Sequence, residues 1–164
     1  METDPGLRVR PAQTSDIDTI APHRAAMFHD MGQLASHEQG ALTEATAAYL
    51  HNAMPGGEYL AWVAEETSAG TIIGGAGVQL RPIMPRPREG ASGLELGPEA
   101  LVLNVYVEPA WRRRGVAPAL MRTLLADLAD RGIRRIVLHA SDEGRQLYER
   151  LGFAQTSEMR LKMG

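Results

Sequence analysis

A buried strand that passes through a basic turn straight into a long amphipathic helix sets the terms on which the rest of this chain must fold. Residues 101–107 are almost wholly apolar over the length of a strand. The turn Trp111-Arg112-Arg113-Arg114-Gly115 follows. Beyond it Ala117, Leu120, Met121, Leu124, Leu125 and Leu128 recur on one face of a helix that closes at Gly132. The flanking sequence predicts more of the same alternation. Residues 7–10 alternate as a strand before Pro11, and Thr14 or Ser15 caps a helix whose face is Ile17, Ile20, Ala21, Met27 and Met31, with Pro22 inside it. A second helix is expected over 43–53, and a hairpin over 59–65 and 71–80. Residues 81–98 are rich in proline and glycine and read as a long loop. A strand at 133–140, a short helix at 142–151 and a last strand at 153–162 complete the chain.

The resulting order, β-α-α-β-β-β-α-β-α-β, predicts an α/β (α+β) fold with helices on the faces of a mixed sheet. Residues 1–164 carry no internal repeat and no linker, so one domain is expected. A chain of 164 residues can bury roughly 70% of its unfolded surface and needs no covalent staples. It has no cysteine, which excludes disulfides, thiol nucleophiles and cysteine-ligated zinc. No apolar stretch has membrane-spanning length, and Met1-Glu2-Thr3-Asp4-Pro5 lacks the layout of a secretory signal, so a cytoplasmic location and no membrane partner are expected.

The basic turn has the physics of an anion site. The first N–H groups of a helix lack intrahelical partners and carry the positive end of its dipole, Gly115 lets a ligand approach the backbone, and arginine can grip phosphate oxygens in pairs. A nucleotide-like anion is expected here. Rival chemistries fail on spacing. The chain's one lysine is Lys162, which excludes a phosphate-binding loop of the G-x-x-x-x-G-K-[ST] kind. Gly90-Ala91-Ser92-Gly93 is not a nucleophile elbow, and Gly74-Gly75-Ala76-Gly77 lies within a strand, where a bulge or a close strand contact is the usual reading. Histidines 23, 29, 37, 51 and 139 form no zinc motif, so no metal is expected.

The same residues carry a family likeness. Arg112-x-x-Gly115-x-Ala117 resembles the [RQ]-x-x-G-x-[GA] loop of the GNAT superfamily of acyl-CoA-dependent acyltransferases, and the residues from Val105 to Pro109 resemble its fourth strand. Ser141 to Phe153 resembles its N-x-x-A-x-x-L-Y-x-x-x-G-F helix at matching spacing. The resemblance implies a sheet of six to seven strands, splayed between the fourth and fifth, flanked by four helices. It implies acetyl-CoA as cosubstrate, its pantetheine arm along the backbone of Val105, Tyr106 and Val107. Its pyrophosphate would lie on the loop Arg112, Arg113, Arg114, Gly115, Val116 and Ala117. Tyr148 is then the expected general acid toward the leaving sulfur. Two departures stand out: Ser141 replaces a frequent asparagine, which fits a cofactor contact or a helix cap, and Gly144 replaces an alanine.

An attacking ammonium must first lose a proton. Leu101 stands where some relatives place a glutamate base, so the candidates are Glu65, His139, and Asn104 with Tyr106 as groups orienting a water. The acceptor is expected beside Phe28, Asp30 and Met31, which would favour a small cationic amine with an apolar portion. Residues 1–80 carry 10 acids against 3 arginines, whereas residues 81–164 carry 10 acids against 14 basic residues, so two surfaces of opposite preference are expected within a net charge of -3. That net charge argues against a nucleic-acid partner. The expected activity is transfer of acetyl to a small-molecule amine in a ternary complex. The alternatives are a protein N-terminus or lysine as acceptor, or a non-catalytic acyl-CoA sensor, and a homodimer is open.

Overall fold

The computed structural model describes residues 6–164; the N-terminal pentapeptide weighed above as a signal lies outside the described residues. β1 (Leu7–Pro11) leads through a 3-10 turn, Thr14–Asp16, into α1 (Ile17–Asp30). After a second such turn come α2 (Gln39–Ala53), β2 (Tyr59–Glu66) and β3 (Thr71–Arg81). The loop that follows contains a small ribbon of β4 (Arg86–Pro87) and β5 (Leu94–Glu95). β6 (Glu99–Val107), α3 (Val116–Asp130), β7 (Arg135–Leu138) and α4 (Arg145–Arg150) complete the order.

Five strands form one sheet in the order β1-β2-β3-β6-β7, antiparallel except for the parallel pair β6–β7. The near-continuous apolar run of β6 follows from burial on both faces. One face is covered by α3, whose Leu120, Met121, Leu124 and Leu128 are fully buried against Trp62, Val78 and Val102. Trp62 Nε1 donates to Asp127 Oδ2 at 2.6 Å and pins that helix to β2. On the other face Ile17, Ile20, Leu50 and Ala53, from the two N-terminal helices, pack on Tyr59, Ala61 and Val63.

The expected six or seven strands become five in the main sheet and two in the ribbon. The missing one is the expected last strand, 153–162, which has no regular structure. A strand needs a partner edge, and residues 154–164 lie exposed without one, leaving Met159, Leu161 and Met163 in solvent. Elsewhere the differences are of length: α2 begins four residues before the expected 43, and the expected 133–140 contracts to four residues in β7.

The glycines of β3 have distinct duties. Gly75 pairs with Tyr106 but Gly77 pairs with Leu103, so β6 holds one residue more than β3 across this interval. That extra residue makes a bulge, and Asn104 takes a left-handed φ of 57° within it. A side chain at Gly77 would collide with the Tyr59 ring, which crosses directly over it.

Candidate active site

β6 has nine residues and β7 only four, and their ladder runs from Glu99↔Arg135 to Val102↔Leu138. Among the described residues the outer edge of β6 therefore has no strand partner over 103–107. The buried Glu99 clamps the closed end of this fork, accepting hydrogen bonds from Arg81 on β3 and Arg135 on β7. Burial raises its carboxyl pKa, but those two guanidiniums outweigh the effect and hold it below the usual carboxylate range.

The open edge leads directly to the basic loop. Gly115, the N-cap of α3, has φ 79°, and Arg113 is left-handed at φ 60°. Left-handed residues in succession with right-handed ones turn backbone N–H groups to one side and form an anion-binding concavity. Val116 and Ala117 open the helix with N–H groups that have no carbonyl one turn earlier to bond. Pro118 comes next and, at this terminus, its missing N–H is no loss. An extended thioester cosubstrate with a pyrophosphate fits this arrangement: an unpaired strand edge for its amides, then a cradle of N–H groups for its phosphates.

The three arginines divide their work. Arg112 Nε donates to the Val107 carbonyl at 2.9 Å, its guanidinium lies 5.5 Å from the Tyr106 ring, and its Nη2 meets Asp30 Oδ2 at 2.5 Å. Arg112 thus ties the end of α1 to the end of β6. Arg114 stacks on Trp111 at 4.2 Å, and Arg113 is exposed. Asp30, expected to face an acceptor, is engaged by Arg112; Met31 beside it is 40% exposed.

Tyr148 lies on α4 and packs against the core cluster that also gathers Val105 and Leu138, its ring edge-on to Phe153 at 6.0 Å. Burial raises its pKa, so its phenol stays protonated and able to donate. Gly144 lies under it, for a Cβ there would be 3.0 Å from Tyr148 Cε2. Ser141 Oγ accepts the Gly144 N–H at 3.2 Å, a helix-capping contact. His139 bonds exposed Glu158 at 2.7 Å. Glu65 bonds Arg10 Nε at 2.7 Å, and its strand, β2, is separated from β6 by β3. The structure does not bring Glu65 to Asn104.

It does assemble a polar group on the face covered by α1 and α2. Asn104, turned there by the bulge, accepts a hydrogen bond from Arg24 and donates Nδ2–H to Tyr59 Oη at 2.7 Å. Arg24 also lies over the Phe28 ring, 4.8 Å from its centre. Beside this group His23 meets Glu108 Oε1 at 3.0 Å, with its ring 4.9 Å from that of Tyr106. Burial lowers the His23 pKa against the opposing pull of Glu108, which keeps the imidazole neutral at pH 7. With Nε2–H donated to the carboxylate, Nδ1 is free to accept a proton. A cavity of about 10 Å³ lined by His23, Tyr59 and Asn104 has room for one water. The sequence reading missed His23, Arg24 and Tyr59. The one available signal was His23 and Arg24 together on a helix whose other inward residues are apolar.

Comparison with known proteins agrees with this geometry. The model of the acetyltransferase (GNAT) family matches residues 27–153. A GCN5-related N-acetyltransferase structure from Ralstonia eutropha JMP134 is 32% identical with a TM-score of 0.82, over 96% of this chain and 99% of that one. A predicted acetyltransferase of Clostridium acetobutylicum, solved with acetyl-CoA, is 26% identical with a TM-score of 0.77, over 96% of each chain. The glucosamine 6-phosphate N-acetyltransferase of Trypanosoma brucei brucei is 28% identical over 95 residues, which is 57% of this chain and 59% of that protein's length. Fold, open strand edge and loop sequence converge on one assignment: this chain belongs to the GNAT acetyltransferase family.

Proposed function

We propose that this protein transfers an acetyl group from acetyl-CoA to an amine of a small molecule, by direct attack within a ternary complex. The observation that carries the reading is the unpartnered edge of β6 over 103–107 running into the left-handed loop that opens α3. Val105, Tyr106 and Val107 offer that edge, and the N–H groups from Arg113 to Ala117 face the pyrophosphate. The thioester supplies an activated acetyl group whose sulfur departs as a thiolate.

This chain's residues then manage two protons. Tyr148, held protonated by its buried setting, donates to the departing sulfur. On the acceptor side, neutral His23 takes the amine's proton through a water oriented by Asn104, and Glu108 steadies the imidazolium that results. His23 thus takes the place left vacant by Leu101, while Glu65 and His139 keep their partners Arg10 and Glu158.

Thiol release from acetyl-CoA in the presence of a panel of amines tests the reading. Release dependent on an added amine is expected, and a protein that binds CoA without releasing thiol is instead a sensor. Tyr148→Phe should lower kcat about 100- to 10,000-fold with little change in the acetyl-CoA KM; unchanged kcat with a good acceptor removes its role.

A further inference from the structure

Arg24 carries a charge that no carboxylate pairs with among the described residues. Its side chain is half-buried at the junction of α1 with the β6 bulge. Burial lowers its pKa, the response of a cation that has lost water without gaining an anion. Asn104 Oδ1 is the partner it has, which leaves most of its five N–H donors unassigned. The guanidinium carbon lies over the Phe28 ring, 4.8 Å from its centre, a contact that restricts the side chain.

Its surroundings also present donors. Asn104 Oδ1 accepts from Arg24, and Nδ2 donates one N–H to Tyr59 and keeps a second. Tyr49 Oη accepts from Gln79 Nε2 at 2.8 Å, so its own O–H is free to donate outward. Tyr49 is 41% exposed and its ring stands edge-on to Tyr59, placing it at the solvent mouth of the group. A planar cation and a phenol O–H, with no carboxylate bonded to either among the described residues, are the complement of an oxyanion.

We infer that the acceptor is an anionic amine, whose carboxylate or phosphate is bound by Arg24 and Tyr49 while its amine reaches the acetyl group beside Asn104. The inference rests on the amine-acetylating function proposed above and replaces a cationic acceptor with a zwitterionic or amino-phosphate one. Asp30, the residue that favoured a cation, is already neutralised by Arg112.

Matched pairs test it: phenylalanine and glycine against their amides, and glucosamine 6-phosphate against glucosamine. In at least one pair the anionic member should have the higher kcat/KM, by about 10- to 150-fold, the range of a hydrogen bond to a charged group. Arg24→Gln should bring that ratio close to one, Arg24→Lys should leave it intermediate, and the dissociation constant of acetyl-CoA should move less than threefold in both. The inference is overturned if neutral partners serve equally well, or if Arg24→Gln lowers both members of a pair alike. Thermal shift with inorganic phosphate and with acetate reads the anion site separately. A shift in the wild type that Arg24→Gln abolishes supports the site even if no amine releases thiol, in which case the proposed function alone fails. No Arg24-dependent shift with either anion, together with no charge preference, sinks it.

Discussion

Gly77→Ala is the substitution on which the geometry of the acceptor side speaks most sharply. In an ordinary strand interior, glycine to alanine gains roughly 0.5–1 kcal/mol because the unfolded chain loses freedom. Here the new Cβ would sit 3.0 Å from Tyr59 Cε1 and far inside contact with Cζ and Oη. Tyr59 is 2% exposed and cannot swing into solvent, so the ring or β3 must be displaced. Overpacking of that kind costs about 1–3 kcal/mol. Displacing the ring also breaks the 2.7 Å bond from Asn104 Nδ2, a further loss of about 0.5–1.5 kcal/mol. Set against the gain, the net is a destabilisation of about 2 kcal/mol, or a fall in Tm of about 4–8 °C for a chain of this size. Thermal melts should show it, and because Asn104 orients Arg24, kcat/KM for the acceptor should fall more than acetyl-CoA affinity. In a Tyr59→Ala background the collision is gone, so Gly77→Ala should be neutral or slightly stabilising. A single variant as stable as the wild type, or an equal loss in both backgrounds, would refute the reasoning.

Glu99→Gln removes a charge shared by two guanidiniums whose side chains remain 44% and 31% exposed, so a cost of about 1–2 kcal/mol and a Tm drop of about 3–6 °C are expected from calorimetry. Asp16 is held below its ordinary pKa by hydrogen bonds from Arg10, against its burial, and Glu99 is likewise lowered. Their stabilisation is therefore complete above the unfolded carboxyl pKa of about 4 and is lost as pH falls below it; a stability profile flat from pH 5 to 3 would contradict this. Asp30→Ala breaks a pair whose members are 44% and 41% exposed, so stability should change by less than about 1 kcal/mol, and kinetics should register it in the acetyl-CoA KM rather than the acceptor KM. His23→Gln should lower kcat and erase an acid limb which, since burial depresses the imidazole, lies below pH 6.5 in the wild type; an unchanged pH profile removes His23 from the reaction.

What could be read from the chain alone depended on range. The run 101–107, the turn at Gly115 and the periodic leucines of α3 are local patterns, and they reappear as β6, the N-cap and a helix face whose Leu120, Met121, Leu124 and Leu128 are buried. The glycines of β3 were legible as a bulge or close contact, and both occur, at Gly75/Gly77 and beneath Tyr59. Contacts that join distant segments were not legible. Asp30 and Arg112 are 82 residues apart, and Arg24 and Asn104 are 80 apart. Nothing in the apolar context of Asn104 signals that an inserted residue would turn it toward α1. Glu99 was hidden for another reason: it follows Pro98 at the end of a loop, where a charge ordinarily faces water. The tail failed as a strand because the alternation of Met159, Leu161 and Met163 describes what a strand would show to a sheet, while pairing depends on an edge that no local pattern reveals.

The shortness of the β6–β7 ladder bears on how long the molecule survives. Among the described residues β7 pairs only with β6, over four residue pairs and the Glu99 carboxylate, so amide protons of β7 and α4 should exchange with solvent through openings that leave β1, β2, β3 and β6 paired. A cosubstrate bound as proposed along the open edge would close those openings, and at a hundredfold excess over its dissociation constant it would add about 2.7 kcal/mol against unfolding. The abundance of such a protein in a cell would then track the supply of its own acyl donor, with proteolysis removing the copies that stand empty.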